Sequence, residues 1–247
     1  MKLVEIDIAG ELAEGDMRGF KVGEKDGKDE KVLVACYQGK IYATGSSCSH
    51  FGVDLTNGML FDDKVLCPAH AAGFSIKTGK PEQAPGLDGI PSYLCIHRDD
   101  KWFVEVPEEG LPKKATMPMT KRDTNNPKHF VIVGGGAAGL NCAETLRQSG
   151  FSGRVTIVSK EDLIPYDRTM LSKSMIDSRK KPLRPAEFLA SADIDFKLSA
   201  EVSSVNSTSK IITLSSGETM KYDKLCVATG GKTVPSKLPG ANLKGVF

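Results

Sequence analysis

The apolar positions of this chain follow two rhythms. Over residues 1–107 they come in short runs, rich in β-branched and aromatic residues and broken by turn signals. Residues 1–8 alternate as a strand does. Residues 31–37 form an apolar run, Gln38, Gly39 and Lys40 make a turn, and residues 41–44 return as the second arm of a hairpin. Residues 74–80 read as another hairpin arm ending in a turn. Residues 93–97 and 102–106 read as two closing strands on either side of Arg98, Asp99, Asp100 and Lys101. The charged, glycine-spaced stretch 23–30 predicts a solvated surface loop. Together these features predict an all-β module, a small antiparallel sandwich or barrel.

Residues 108–127 show little periodicity. They hold Pro112, Pro118 and Pro127 and the polar run 121–126, and they predict an interdomain linker. At Lys128 the rhythm changes. Residues 130–133 are a continuous apolar strand, residues 140–148 read as a helix with Gly150 as its stop, and residues 154–159 form the next strand. A short helix over 185–190 and strands over 194–198, 201–205, 210–214 and 224–228 follow. The pattern over 128–247 is that of an incomplete α/β, Rossmann-like domain. The chain is therefore expected to be multidomain: an all-β domain over 1–107, a linker over 108–127 and the α/β part over 128–247.

Between the first strand and helix of the second part stands Gly134-Gly135-Gly136-Ala137-Ala138-Gly139. Strand, glycine-rich turn, helix and strand within about 30 residues is the context in which such a turn binds a dinucleotide. Gly134 permits the tight turn, Gly136 lets the backbone approach a pyrophosphate, and Gly139 lets helix and strand pack closely. The phosphates then rest on amides at the helix N-terminus, where Ala137 and Ala138 lie. Glu161, just past the second strand, either accepts from a ribose hydroxyl or is an exposed loop carboxylate.

Composition adds boundaries. With 247 residues, 40% of them hydrophobic and 26% charged, the chain has the make-up of an ordinary globular protein. A net charge of +2 gives no reason to invoke nucleic acid or an anionic membrane. No apolar run approaches the ~18 residues of a membrane span, and no signal or transit peptide is visible at the start. Cys36, Cys95, Cys142 and Cys226 are scattered singly and read as buried thiols of an intracellular protein.

The remaining cysteines are not scattered. Cys48 and His50 form one pair, and Cys67 and His70 form a second, with sixteen residues between the pairs. Each pair offers one thiol and one imidazole. In the Rieske arrangement two Cys hold one iron of a [2Fe–2S] cluster and two His hold the other. Zinc also accepts two Cys and two His, though its sites more often pair like with like.

The stretch from Cys67 to Gly79 resembles the second ligand loop and following hairpin of Rieske ferredoxin-type domains, which usually carry Trp at position 69 and Gly at 71, where this chain has Ala. High-potential members add a Cys to each loop. Here those positions are Val53 and Ala69, so the resemblance implies the low-potential kind, without that disulfide. Residues 164–173, Ile-Pro-Tyr-Asp-Arg-Thr-Met-Leu-Ser-Lys, resemble the flavin-binding segment of FAD-dependent pyridine-nucleotide oxidoreductases, ferredoxin reductases above all. By that resemblance Arg168 and Lys173 contact FAD, the Val202 backbone lies near the adenine, and Ala228-Thr229-Gly230 packs against the cofactor. Taken alone, the two cations read as a solvated basic loop.

A Rieske module followed by this flavoprotein module is the order of apoptosis-inducing factor-like proteins. The resemblance implies an oxidoreductase passing electrons from NAD(P)H through FAD to a [2Fe–2S] cluster, and on to a small-molecule or protein acceptor. It also implies a truncated chain that stops where a nicotinamide domain would begin. The rival expectations are a Rieske-type electron carrier with a vestigial flavin domain, or a non-catalytic regulatory protein related to cell death. Self-association through the incomplete domain, and a mitochondrial or cytoplasmic location, are the further expectations.

Overall fold

A computed structural model describes residues 1–8, 12–173, 181–232, 234 and 236–245. The chain divides into two compact units, Met1–Met117 and Pro118–Phe247.

The first unit is built from β1 (Lys2–Ile6), β2 (Met17–Lys25), β3 (Lys28–Tyr37), β4 (Lys40–Gly45), β5 (Met59–Phe61), β6 (Lys64–Leu66), β7 (Gly73–Ser75), β8 (Pro81–Gln83), β9 (Ser92–Arg98) and β10 (Lys101–Val106). A six-stranded sheet has the order β1-β10-β9-β4-β3-β2, and a four-stranded sheet the order β5-β6-β7-β8. All pairings in both are antiparallel. Strand β3 explains the sandwich. Its residues 32–36 are buried without a break, because the two-residue period of a strand sends Leu33 and Ala35 to one core and Val32 and Val34 to another. The first core also holds Cys48, Leu55, Cys67, Phe74 and Ile90. The second holds Ile6, Val104 and Val106.

One reading of this region needs correction. Residues 23–30 are not a surface loop: they are the tip of the β2–β3 hairpin, with Lys25 opposite Lys28. Asp26 and Gly27 turn the chain with φ of 51° and 70°, the Asp-Gly signature of a tight hairpin turn. Lys21 and Asp29 pair across the strands at 2.6 Å. The stretch expected to be a linker is bound at both ends. In the first unit Leu111 packs on the second core, and Gly89 and Ala115 exchange both backbone hydrogen bonds at 2.9 Å. In the second unit the Thr120 amide donates to the Arg147 carbonyl and Met119 joins the core.

The second unit contains β11 (His129–Val133), α1 (Ala137–Gln148), β12 (Arg154–Val158), α2 (Ala186–Ser191), β13 (Ile194–Lys197), β14 (Val202–Asn206), β15 (Ile211–Leu214), β16 (Thr219–Lys221) and β17 (Lys224–Val227). A parallel sheet has the order β13-β12-β11-β17, and β14, β15 and β16 form an antiparallel one. The central parallel strands β11 and β12 are buried on both faces, as strands between two layers must be. Ile132, Val155 and Ile157 meet Leu140 and Ala143 of α1. Val131, Val133 and Val158 meet Ile212 and Leu214 of β15.

Two arginines fasten α1. Arg147 is fully buried, and its guanidinium donates to the carbonyls of Phe151, Gly153, Ala192 and Asp193 at 2.7–2.9 Å. Arg184 forms a two-pronged pair with Glu144 at 2.9 and 2.8 Å and lies over the Phe188 ring.

Candidate iron–sulfur and flavin sites

One turn is used twice in the first unit. After β4, the Cys48 amide donates to the Val53 carbonyl (2.9 Å) and the Gly52 amide to the Cys48 carbonyl (2.8 Å). After β6, the Cys67 amide donates to the Ala72 carbonyl (2.9 Å) and the Ala71 amide to the Cys67 carbonyl (3.0 Å). The flanks repeat as well: Ser47 is bridged to Asp54 and Leu66 is paired with Gly73. In each copy the cysteine stands at the turn's start and the histidine two or three residues on.

The copies put like with like. Both thiols are buried in one core, Cys48 at 2% and Cys67 at 4% exposure. The imidazoles meet on the outer side: the His50 and His70 rings lie 5.1 Å apart and nearly perpendicular. The Phe51 ring flanks both, at 3.9 and 5.7 Å. Among the described residues no three His, Cys, Asp or Glu converge as a single ion requires. Two thiols in one place and two imidazoles in another are the donor set that the two irons of a Rieske [2Fe–2S] cluster take.

The thiol environment has the same tendency. Burial pushes the Cys48 thiol above its ordinary value. Amides of His50 and Phe51 donate to its sulfur and pull it back, and the Cys67 thiol pushes it up again.

In the second unit the glycine turn is as tight as its sequence requires. Gly134 has φ +124°, and a Cβ there would stand 2.1 Å from the Ala228 carbonyl oxygen. At Gly139 a Cβ would lie 2.0 Å from the Gly134 carbonyl oxygen. Gly136 differs: only the Arg168 side chain comes near, at 3.9 Å. This side of the turn is open, with no backbone atom within 4 Å of such a Cβ. Gly136 caps α1 without a side-chain hydrogen bond, and Ala137 and Ala138 are exposed in its first turn.

Glu161 and Arg168 meet beside this turn, at 2.8 Å. The Tyr166 hydroxyl lies 3.1 Å from Arg168 Nη1. Sequence reasoning passed over Tyr166, although it sits in the 164–173 segment, and over Ser159, whose hydroxyl a Cβ on Gly135 would meet at 2.5 Å. Lys173 closes a 3₁₀ turn over Arg168–Ser172 and is exposed. Val202 opens β14 and packs on the core with Ala200 and Leu214. Among the described contacts neither Lys173 nor Val202 is joined to the glycine turn.

Residues 2–94 match the family Rieske [2Fe-2S] domain, and residues 128–247 match Pyridine nucleotide-disulphide oxidoreductase. The chain thus carries a Rieske [2Fe-2S] domain followed by part of a pyridine nucleotide-disulphide oxidoreductase domain. It is a homologue of apoptosis-inducing factor 3: with that protein of Homo sapiens it shares 34% identity over 244 residues, 96% of this chain and 40% of the relative.

The ferredoxin–NAD(+) reductase subunit of the benzene 1,2-dioxygenase system of Pseudomonas putida is 37% identical over 121 residues, 48% of this chain and 30% of that one. The crystal structure of a ferredoxin reductase from Rhodopseudomonas palustris is 30% identical, covering 49% of this chain and 30% of that chain at a TM-score of 0.45. The chain spans 40% of the length of its apoptosis-inducing factor relative. Among the described residues no helix is long and apolar enough to cross a membrane.

Proposed function

We propose that this chain carries electrons from reduced nicotinamide nucleotide, by way of FAD on its second unit, to a [2Fe–2S] cluster on its first. From there they pass to a small-molecule or protein acceptor. When bound, the flavin links two-electron nicotinamide chemistry to one-electron transfer, and the cluster carries the single electrons. The observation that carries this reading is the duplicated turn, which gathers two buried thiols and, separately, two imidazoles 5.1 Å apart.

Cys48 and Cys67 would hold one iron of the cluster as thiolates, with the His50 and Phe51 amides beside the Cys48 sulfur. His50 and His70 would hold the other iron. His70 and Phe51 are exposed, so the imidazole side is the face an acceptor meets. In the second unit Gly134, Gly136 and Gly139 shape the pyrophosphate seat, and the Ala137 and Ala138 amides face it at the positive end of α1. Glu161 accepts from the ribose, Arg168 and Lys173 contact the flavin nucleotide, and the Val202 backbone lies beside the adenine. The modules divide as 1–107, 108–127 and 128–247. The four cysteines outside the proposed cluster, Cys36, Cys95, Cys142 and Cys226, are free thiols and support a reducing intracellular location, mitochondrial or cytoplasmic.

The test is the absorption and EPR spectrum of the purified chain with and without dithionite, together with flavin released on heating. A Rieske signal with stoichiometric FAD is the expected result. The same signal without flavin reduces the chain to an electron carrier. Anaerobically prepared protein with no iron signal overturns the ligand assignment.

A further inference from the structure

The segment from Pro81 to Pro91 reaches both ligand loops. From β8, Gln83 Nε2 donates to the Ala71 carbonyl at 2.9 Å, one residue past His70. Further along, the Asp88 carbonyl accepts from Ser49 Oγ at 2.7 Å, and Ser49 lies between Cys48 and His50. Between these anchors Gly86 runs close over the loops: a Cβ there would stand 3.0 Å from the Phe74 ring and 3.3 Å from the Ser49 hydroxyl. Ile90 is fully buried in the core that holds Cys48 and Cys67, and its amide donates to the Gly79 carbonyl at 2.8 Å. The segment is a strap that supports both loops at once.

The outer side of the strap is held by the stretch that follows β10. Gly89 and Ala115 exchange both backbone hydrogen bonds. One residue earlier in each segment, Lys114 Nζ reaches Asp88 Oδ2 at 2.9 Å. The pair is lopsided: the Asp88 side chain is 4% exposed and that of Lys114 is 56% exposed. A carboxylate this buried is costly unless it is met by charge and hydrogen bonds.

We propose that Asp88 and Lys114 are a positioning pair. Lys114 and Ala115 form a latch that holds the strap, and through Ser49 and Gln83 the strap holds both ligand loops in the arrangement that grips the cluster. The inference rests on the reading of Cys48, His50, Cys67 and His70 as ligands. Its consequence is that the connecting stretch is not a passive tether: releasing Lys114 loosens both loops together.

The test uses the full chain with Lys114→Ala, Lys114→Arg and, as a control, Lys113→Ala at the neighbouring exposed lysine. Three quantities are read: the rate of iron release to bathophenanthroline, the reduction midpoint by EPR-monitored titration, and amide hydrogen exchange of residues 46–54 and 66–73 in the iron-free chain. Expected for Lys114→Ala are iron release about tenfold faster, a shifted midpoint, and faster exchange in both loops together. Lys114→Arg restores all three, and Lys113→Ala leaves them as in the parent. Iron release and loop exchange in Lys114→Ala equal to the parent, or loosening of one loop alone, overturn the proposal. The exchange reading keeps the two ideas apart. A parent chain with no Rieske signal defeats the ligand reading, while exchange in the iron-free chain still decides the latch.

Discussion

Gly52 and Ala71 occupy the same place in two copies of one turn. Each lies four residues after a proposed cysteine ligand, each donates its amide to that cysteine's carbonyl, and each has left-handed backbone, φ 72° and 56°. Glycine takes this conformation freely, whereas a side chain with a Cβ is strained by roughly 1–2 kcal/mol. Gly52 has room around it: a Cβ added there would meet only the Ser47 hydroxyl, at 3.8 Å. Backbone strain alone therefore separates the two copies. Ala71→Gly is expected to stabilise the first unit by about 0.5–1 kcal/mol after glycine's greater loss of chain entropy. Gly52→Ala should destabilise it by a similar amount. Urea unfolding of both variants checks the opposite signs, and a shift of the same sign in both would defeat the argument.

The split of ligands into a thiol pair and an imidazole pair makes a compositional prediction. The reconstituted chain should hold about two irons and two sulfides, and zinc should not replace them one for one. Cys48→Ala or Cys67→Ala should abolish cluster assembly. His50→Ala and His70→Ala should remove the Rieske EPR signal even where some iron is retained. Metal analysis beside EPR separates these outcomes, and full iron occupancy in Cys67→Ala would sink the assignment.

Arg168 is tied up before any flavin arrives, by Glu161 at 2.8 Å and by the Tyr166 ring beneath it, 4.9 Å away. Both ionic side chains stand beside the Gly136 opening, so their effects on FAD should not be independent. Arg168→Ala should weaken FAD binding about tenfold, the scale of one lost charge-assisted hydrogen bond. In a Glu161→Gln background the loss should differ, because Arg168 then starts unpaired from that carboxylate. Flavin fluorescence titration of the two single variants and the double variant gives the coupling directly. Strict additivity would show that the pair plays no joint part.

Much of this architecture was legible in the sequence because its signals are local. Cys48, His50, Cys67 and His70 stand close together, and the turn from Gly134 to Gly139 sits between a strand and a helix whose apolar patterns announce them. The hairpin tip at Asp26 and Gly27 was missed because charge density outweighed a turn signal that was present. The duplicated turn is half visible: the cysteines mark its two starts, but Gly52 and Ala71 are different residues, so only the backbone reveals their equivalence. What no local pattern carries is pairing across long separations. Lys114 finds Asp88, Arg184 finds Glu144, and the Ala115 backbone finds Gly89. Each is an ordinary surface-type residue until the fold brings its partner.

Glu144 and Arg184 show the cost of such a pairing. Both side chains are about 95% buried and meet at 2.8 Å. Removing Glu144 takes the buried carboxylate away from the Arg184 guanidinium, whereas removing both with apolar residues of similar size is far milder. Glu144→Ala should destabilise the second unit by about 3–5 kcal/mol, read as a lowered urea midpoint. Joint replacement by Glu144→Leu and Arg184→Met should recover most of that loss. A double variant as unstable as the single one would mean that the pair contributes specific attraction beyond satisfying its own burial.

The second unit should also lose stability in mild acid, through His129. This imidazole bonds to the Lys221 carbonyl and to the Thr156 hydroxyl at 2.9 Å. Burial lowers its pKa below the ordinary value of 6.5, Arg154 and Arg122 lower it further, and Asp195 and the Lys221 carbonyl oppose them. The folded unit therefore refuses a proton that the unfolded chain accepts. With more protons on the unfolded state, stability rises with pH across the interval between the two pKa values and levels off above about 6.5. Read downward, it is lost as pH falls below about 6.5, by at most ~1.4 kcal/mol per pH unit for this one group. The other three histidines, His50, His70 and His97, belong to the first unit, so the second unit's response between pH 5 and 7 isolates His129. Paired melts of the parent and His129→Gln over that range are the check. The parent's second-unit transition should fall with acidification while the variant's stays nearly level, and parallel curves would assign the acid sensitivity elsewhere.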